Sequence, residues 1–241
     1  MADQDDIKLA VLIDADNAQS SVIHALLAEV SRYGTATIKR AYGDWTTPNL
    51  KGWKEVLHTM AIQPIQQFSY TTGRNSTDAS LIIDAMDLLY SGNLDGFCLV
   101  SSDSDFTRLA TRIREAGLVV YGFGEKKTPQ AFVAACDKFI HTELLRPSKS
   151  IASVTPPDAE PLKKALSAAI DAATRDDGWA PLSTVGSMLL KNNPAFDPRS
   201  YGFDKLGALV RKQPYLDVKE IPVAADSTTV HLYVRLKAGS S

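Results

Sequence analysis

Apolar and polar positions follow two alternating patterns along the first 146 residues. Leu9–Ile13 is an unbroken apolar run, as expected of a strand covered on both faces. Further strand candidates are Ala36–Tyr42, Ile62–Phe68, Phe97–Val100, Leu118–Phe123 and Lys138–His141. Amphipathic stretches fall between them, over Ser20–Tyr33, Asn49–Met60, Asp78–Tyr90, Phe106–Ala116 and Thr128–Ala135. Strand and helix in strict alternation predict an α/β unit built on a parallel sheet, with ligands beyond the carboxyl ends of the strands. Residues 147–160 are rich in Ser and Pro and lack periodicity, which predicts a linker. Beyond it the order changes. Helical patterns over Pro161–Ala173, Leu182–Lys191 and Tyr201–Gln213 precede two strand-like runs, Leu216–Val223 and Thr228–Leu236, parted by Ala224–Ser227. Three short helices and a hairpin outline a small winged-helix-like α+β unit. The predicted organisation is a domain over 1–146, a linker over 147–160 and a second domain over 161–241.

Composition narrows the functional classes. The chain of 241 residues carries 26 basic and 28 acidic side chains, which excludes binding of nucleic acid by bulk positive charge. Residues 1–150 hold 15 basic against 18 acidic side chains, and the remainder 11 against 10. The two cysteines, Cys98 and Cys136, are too few for a disulfide framework or a Cys-rich zinc site. The N-terminus is acidic, and no apolar run approaches the ~18 residues of a membrane span. These features predict a cytoplasmic protein with no membrane partner.

The carboxylates carry the strongest chemical signal. The first strand ends in Asp14, Asp16 and Asn17, and the fourth runs into Ser101, Ser102, Asp103, Ser104 and Asp105. On a helical wheel Asp78 shares a face with Leu81, Ile82, Ala85 and Leu89, so its carboxylate should point inward; Asp87 lies opposite and Asp84 between. Carboxylates converging on one cleft repel one another, and a hard divalent cation offsets that cost. Oxygen donors without His or Cys favour Mg²⁺ or Mn²⁺ over zinc. The chemistry such a site predicts is hydrolysis of a phosphodiester. Plainer roles exist for some members: Asn17 and Ser102 as helix N-caps, Asp16 and Asp105 as solvated loop acids, Asp84 as a structural acid. The Asp14–Asp16 spacing also resembles the first motif of haloacid dehalogenase-type phosphatases, although their later Lys motif has no counterpart here.

With these residues in view, the first domain resembles the NYN family, a branch of the PIN-like nucleases. The segments that carry the resemblance are VLIDADN at Val11–Asn17, Ala41–Trp45, Thr77–Tyr90, Val100–Gly117 and Val120–Ile140. The resemblance implies a PIN-like (Rossmannoid) fold and metal-dependent cleavage of RNA, single-stranded RNA being the expected substrate. It places metal ligands on Asp14, Asp78 and Asp103, with Asp105 joining them and Asp16 and Asn17 supporting; Asp84 and Ser102 stand beside them as supporting candidates of the residue pattern. Asp14, Asp78, Asp103 and Asp105 are the expected catalytic set. Family members often carry Lys before the helical Asp where this chain has Gly73-Arg74-Asn75; Arg keeps the charge but presents a planar fork. The second domain resembles the OST-HTH/LOTUS domains through Asp177-Gly178-Trp179, Leu182–Gly186 and Pro194–Leu206, which implies a module that binds RNA or docks a protein partner. A non-catalytic RNA-binding scaffold that keeps the cleft, and a metal-dependent small-molecule phosphatase, stand as alternatives.

An acidic cleft needs nearby cations to accept RNA. Candidates in the first domain are Lys39 and Arg40, Lys51 and Lys54 after the Ala41–Trp45 segment, Arg74, and Lys126 and Lys127 beyond the fifth strand, with Arg74, Lys126 and Lys127 assigned to RNA. Arg108, Arg112 and Arg114 read as helix-surface charges. Trp45 and Trp53 are either base-stacking or core residues. In the second domain Arg199, Tyr201, Lys205 and Arg211 surround the third helix, where cationic and aromatic side chains suit unpaired bases.

Overall fold

The computed structural model describes residues 7–68, 76–146, 159–222 and 230–237. The chain divides into two compact units, Met1–Pro147 and Ser148–Ser241. Most of the expected linker (147–158), the turn at Ala224–Ser227 and the candidate Arg74 lie outside the described residues.

The first unit is an α/β layer structure. Its strands are β1 (Lys8–Asp14), β2 (Thr35–Gly43), β3 (Gln63–Gln66), β4 (Gly96–Val100), β5 (Val119–Gly124) and β6 (Lys138–His141). They alternate with α1 (Ile23–Val30), α2 (Trp53–Thr59), α3 (Ser76–Ser91), α4 (Thr107–Glu115) and α5 (Gln130–Ala135). The sheet order is β3-β2-β1-β4-β5-β6 and every pairing is parallel. Leu9–Ile13 and Phe97–Val100 are buried on both faces, which explains their continuous apolar runs. The chain reverses its direction of travel across the sheet between β1 and β4, the place where open α/β sheets leave a crevice beyond their carboxyl ends. Asp14 is the last residue of β1, and Ser101 follows the last residue of β4.

Several boundaries differ from the sequence pattern. The expected first two helices each begin as a single 3₁₀ turn, at Ser20–Val22 and Pro48–Leu50, before α-helix proper starts at Ile23 and Trp53. β3 keeps four of its seven expected residues. α5 starts at Gln130 because Pro129 stands in extended conformation at its N-cap.

The second unit packs α6 (Ala159–Ala173), α7 (Leu182–Asn192) and α8 (Leu206–Arg211) against an antiparallel sheet of order β7-β9-β8, formed by β7 (Ala180–Pro181), β8 (Leu216–Pro222) and β9 (Val230–Leu236). Its core includes Leu166, Ile170, Val185, Leu209, Val210 and Val234. The third helix is much shorter than its apolar pattern suggests. Asp197 caps a 3₁₀ turn over Pro198–Tyr201, and Gly202 at φ +80° then breaks the helical path, so α8 begins only at Leu206. Phe203 packs against this core. Among the described residues no helix is long and apolar enough to cross a membrane.

Candidate metal centre and nucleic-acid surfaces

Three chain segments bring carboxylates to the β1/β4 crevice. Asp14 is fully buried at the end of β1. Its Oδ2 accepts from Asn17 Nδ2 at 2.7 Å and from Ser101 Oγ at 2.8 Å, and its Oδ1 accepts from the Asn17 N–H at 3.3 Å. Burial raises the Asp14 carboxyl above the usual range, against the lowering effect of these bonds. Asp78 sits in the first turn of α3 and is 8% exposed, on the inward stripe with Leu81, Ala85 and Leu89, while Asp87 faces solvent. Asp103 caps the 3₁₀ turn over Ser104–Phe106, accepting from the Asp105 N–H at 2.9 Å, and its own N–H donates to Ser101 Oγ at 3.1 Å.

Asp78, Asp103 and Asp105 each offer a carboxylate oxygen within 4.8 Å of the others. Burial pushes the Asp78 carboxyl up to about 6, and the charges of Asp14, Asp103, Asp105 and Asp16 push in the same direction. Five carboxylates thus share one field. Asp16 is exposed and accepts from Thr77 Oγ1 at 2.9 Å. Among the described residues no His or Cys joins the trio, so its donors are hard oxygens, and they fit a divalent cation such as Mg²⁺ or Mn²⁺.

The supporting residues sort differently from the pattern in the sequence. Asn17 does not cap a helix; Gln19 holds that position and Asn17 binds Asp14. Ser102 does not cap either, because Asp103 does; Ser102 Oγ accepts from the Glu125 N–H at 2.9 Å. Asp84 is engaged away from the trio, accepting from Arg40 Nη1 and from the Tyr42 hydroxyl, both at 2.9 Å. Ser101, which the residue pattern did not single out, is the hub between Asp14 and Asp103. The signal that finds it is register: Ile13 pairs with Val100, so Asp14 and Ser101 come next on adjacent parallel strands.

The family model of the NYN domain matches residues 8–145. The chain belongs to the NYN family. NYN domains lie in the PIN-like nuclease superfamily, whose members typically use divalent metal ions. The OST-HTH/LOTUS domain, an RNA-binding type of domain, matches residues 157–227 of this NYN chain. No curated protein matches it. Among solved structures, a protein of unknown function from Vibrio parahaemolyticus is 19% identical, covering 58% of this chain and 94% of its own, at a TM-score of 0.48. An uncharacterized protein from Nitrosomonas europaea is 33% identical over 39% of this chain and 88% of its own, at 0.31. Part of a protein from Chromobacterium violaceum is 41% identical over 34% and 87%, at 0.26.

The basic candidates of this NYN chain are unevenly committed. Lys127 pairs with Glu125 at 2.8 Å, whereas the exposed Lys126 side chain forms no ion pair among the described residues. In the second unit Arg199 is held by the 5%-exposed Asp197, through Nη2 at 2.7 Å and Nε at 3.0 Å. Arg211 pairs with Glu220 at 2.6 Å, and Tyr201 stacks towards Phe196 on the core. Lys205 is exposed and makes no ion pair among the described residues. A feature with no local signal is Trp179, whose ring lies 4.5 Å from the Arg235 guanidinium and 5.7 Å from Lys219 Nζ, because β7 pairs with β9. In the first unit Trp53 is core, while Trp45 is half-buried.

Proposed function

We propose that this protein is a metal-dependent ribonuclease that hydrolyses phosphodiester bonds of single-stranded RNA, with its C-terminal module helping to hold the strand. The observation that carries the reading is the convergence of Asp78, Asp103 and Asp105 within 4.8 Å, beside the buried Asp14 at a β1/β4 switch point. Asp78, Asp103 and Asp105 would hold Mg²⁺ or Mn²⁺, with Asp14 as the fourth carboxylate and Asp16 at the edge. The ion, when bound, supplies a Lewis acid that offsets charge building on the phosphoryl oxygens. Asp105 is the exposed member, and it orients the attacking water as the ribose oxygen leaves phosphorus. Hydrogen bonds from Asn17 and Ser101 oppose the effect of burial on Asp14 and fix its rotamer. Lys126 and Arg74 are assigned to phosphate, and Lys205, with less from Arg211, Arg199, Tyr201 and Lys127, to RNA binding in the second unit and beside the cleft.

Asp14 also argues against a phosphatase of the haloacid dehalogenase type. A nucleophilic carboxylate must meet its substrate, yet Asp14 is fully buried with both oxygens hydrogen-bonded.

The test is incubation of the purified chain with mixed RNA, with and without Mn²⁺, beside Asp103→Asn. Fragments are expected with metal in the wild type alone, at unchanged circular dichroism. Full activity in the variant overturns the assignment. Failure of calorimetric titration to detect Mn²⁺ at near-millimolar metal favours the non-catalytic scaffold.

A further inference from the structure

An apolar groove of about 630 Å³ lies between α2 and β3, within the range of small-ligand sites. Trp45, Leu50, Leu57 and Pro64 form much of its lining, and Lys51 and Lys54 also border it. The Trp45 indole is fixed in place: Nε1 donates to the Ile65 carbonyl at 3.0 Å and the ring meets Trp53 edge-on at 6.3 Å. Lys51 and Lys54 are exposed and form no ion pair among the described residues, unlike Arg40, Arg112, Arg114 and Lys127. The groove also adjoins the acidic cluster. A methyl group placed on Gly43 would come within 2.7 Å of Leu50 in the groove and 3.4 Å of Asp16 Oδ1, so a single glycine separates the two.

We propose that this groove receives a nucleobase of the RNA strand whose phosphodiester reaches the carboxylates, with Lys51 and Lys54 taking the phosphate beside that base. The inference rests on the ribonuclease reading. A base has apolar faces and suits an indole and aliphatic wall, where stacking tolerates any sequence. A polyanion cannot approach five carboxylates unless cations meet it close by, and two uncommitted ammonium groups at the groove meet that need. An apolar peptide would fill the same wall but would leave both lysines without a partner.

The experiment uses the full chain in EDTA, so that the strand survives, and a short single-stranded oligonucleotide carrying one 4-thiouridine. Ultraviolet cross-links should map to peptides within Trp45–Gln66. Replacing that nucleotide by an abasic one should weaken binding about tenfold. Lys51→Ala with Lys54→Ala should weaken it by about tenfold and reduce the salt dependence by about one to two ions. Arginine at both positions should restore most of the affinity. The groove assignment is overturned if cross-links fall elsewhere and the double alanine variant binds like wild type. In that case Mn²⁺-dependent cleavage by the wild type still upholds the ribonuclease reading. A wild-type chain that neither binds nor cuts RNA overturns both.

Discussion

Ser101 and Asp14, 87 residues apart in the chain, meet at the ends of adjacent strands, the serine hydroxyl donating to Asp14 Oδ2 at 2.8 Å. The same hydroxyl accepts from the Asp103 N–H, so one oxygen ties a buried carboxylate to the turn that presents the next. Ser101→Ala is expected to cost about 1–3 kcal/mol in urea unfolding, because it leaves a buried carboxylate short of a donor. Calorimetry should also record weaker Mn²⁺ binding. An unchanged midpoint together with unchanged affinity would show the bridge to be dispensable.

The pH dependence follows from Asp78, whose carboxyl is pushed up to about 6 by burial and its acidic neighbours. A raised carboxyl pKa means that the folded state binds this proton more tightly than the unfolded chain does. Metal-free stability therefore falls as pH rises from the ordinary carboxyl range through about 6, and the penalty is complete above that. Unfolding without metal at about pH 5 and about pH 7.5 should show this decline, and Asp78→Asn should reduce it. Saturating Mn²⁺ should reverse it at neutral pH, adding about 2.7 kcal/mol at one hundred times Kd. If both variant and metal leave the profile untouched, the five carboxylates do not share a field.

Asp84 separates structural acids from metal-site acids. Its Oδ2 serves both Arg40 and the Tyr42 hydroxyl. Asp84→Ala should destabilise the fold by about 1–3 kcal/mol, with Mn²⁺ affinity unchanged. A loss of affinity matching that of Asp103→Asn would move Asp84 into the metal site.

Arg199 is expected to act mainly through Asp197 and only weakly on RNA. With Asp197 nearly buried and held by two guanidinium nitrogens, Arg199→Ala should lower stability by about 1–3 kcal/mol. Gel shifts should change less for this variant than for Lys205→Ala. A drop in RNA affinity at an unaltered unfolding midpoint would refute this assignment.

Legibility in the sequence depended on whether the signal was local. Asp14 and Asp103 could be found because each follows an unbroken apolar run, and Asp78 because a helical wheel turns it inward. Ser101 could not be ranked, since its importance comes from the parallel register of β1 and β4. The partner of Asp84, Arg40, likewise comes from β2, far away in the chain. The apolar spacing of the third helix of the second unit runs through Gly202, where the backbone φ of +80° ends the helical path, so the sequence pattern is longer than α8. β7 is two residues long and exists through pairing with β9, which no periodicity announces.

The sheet order also governs when the proposed activity can exist during synthesis. β1 reaches one of its two neighbours, β4, only after β2, β3 and α3 have been made. A ribosome that has released only the first strands therefore holds a chain with Asp14 and Asp16 but neither Asp103 nor Asp105. Such a chain has no complete acidic set. On the proposed reading, the acidic set is complete only once the central pair of strands, β1 and β4, has closed.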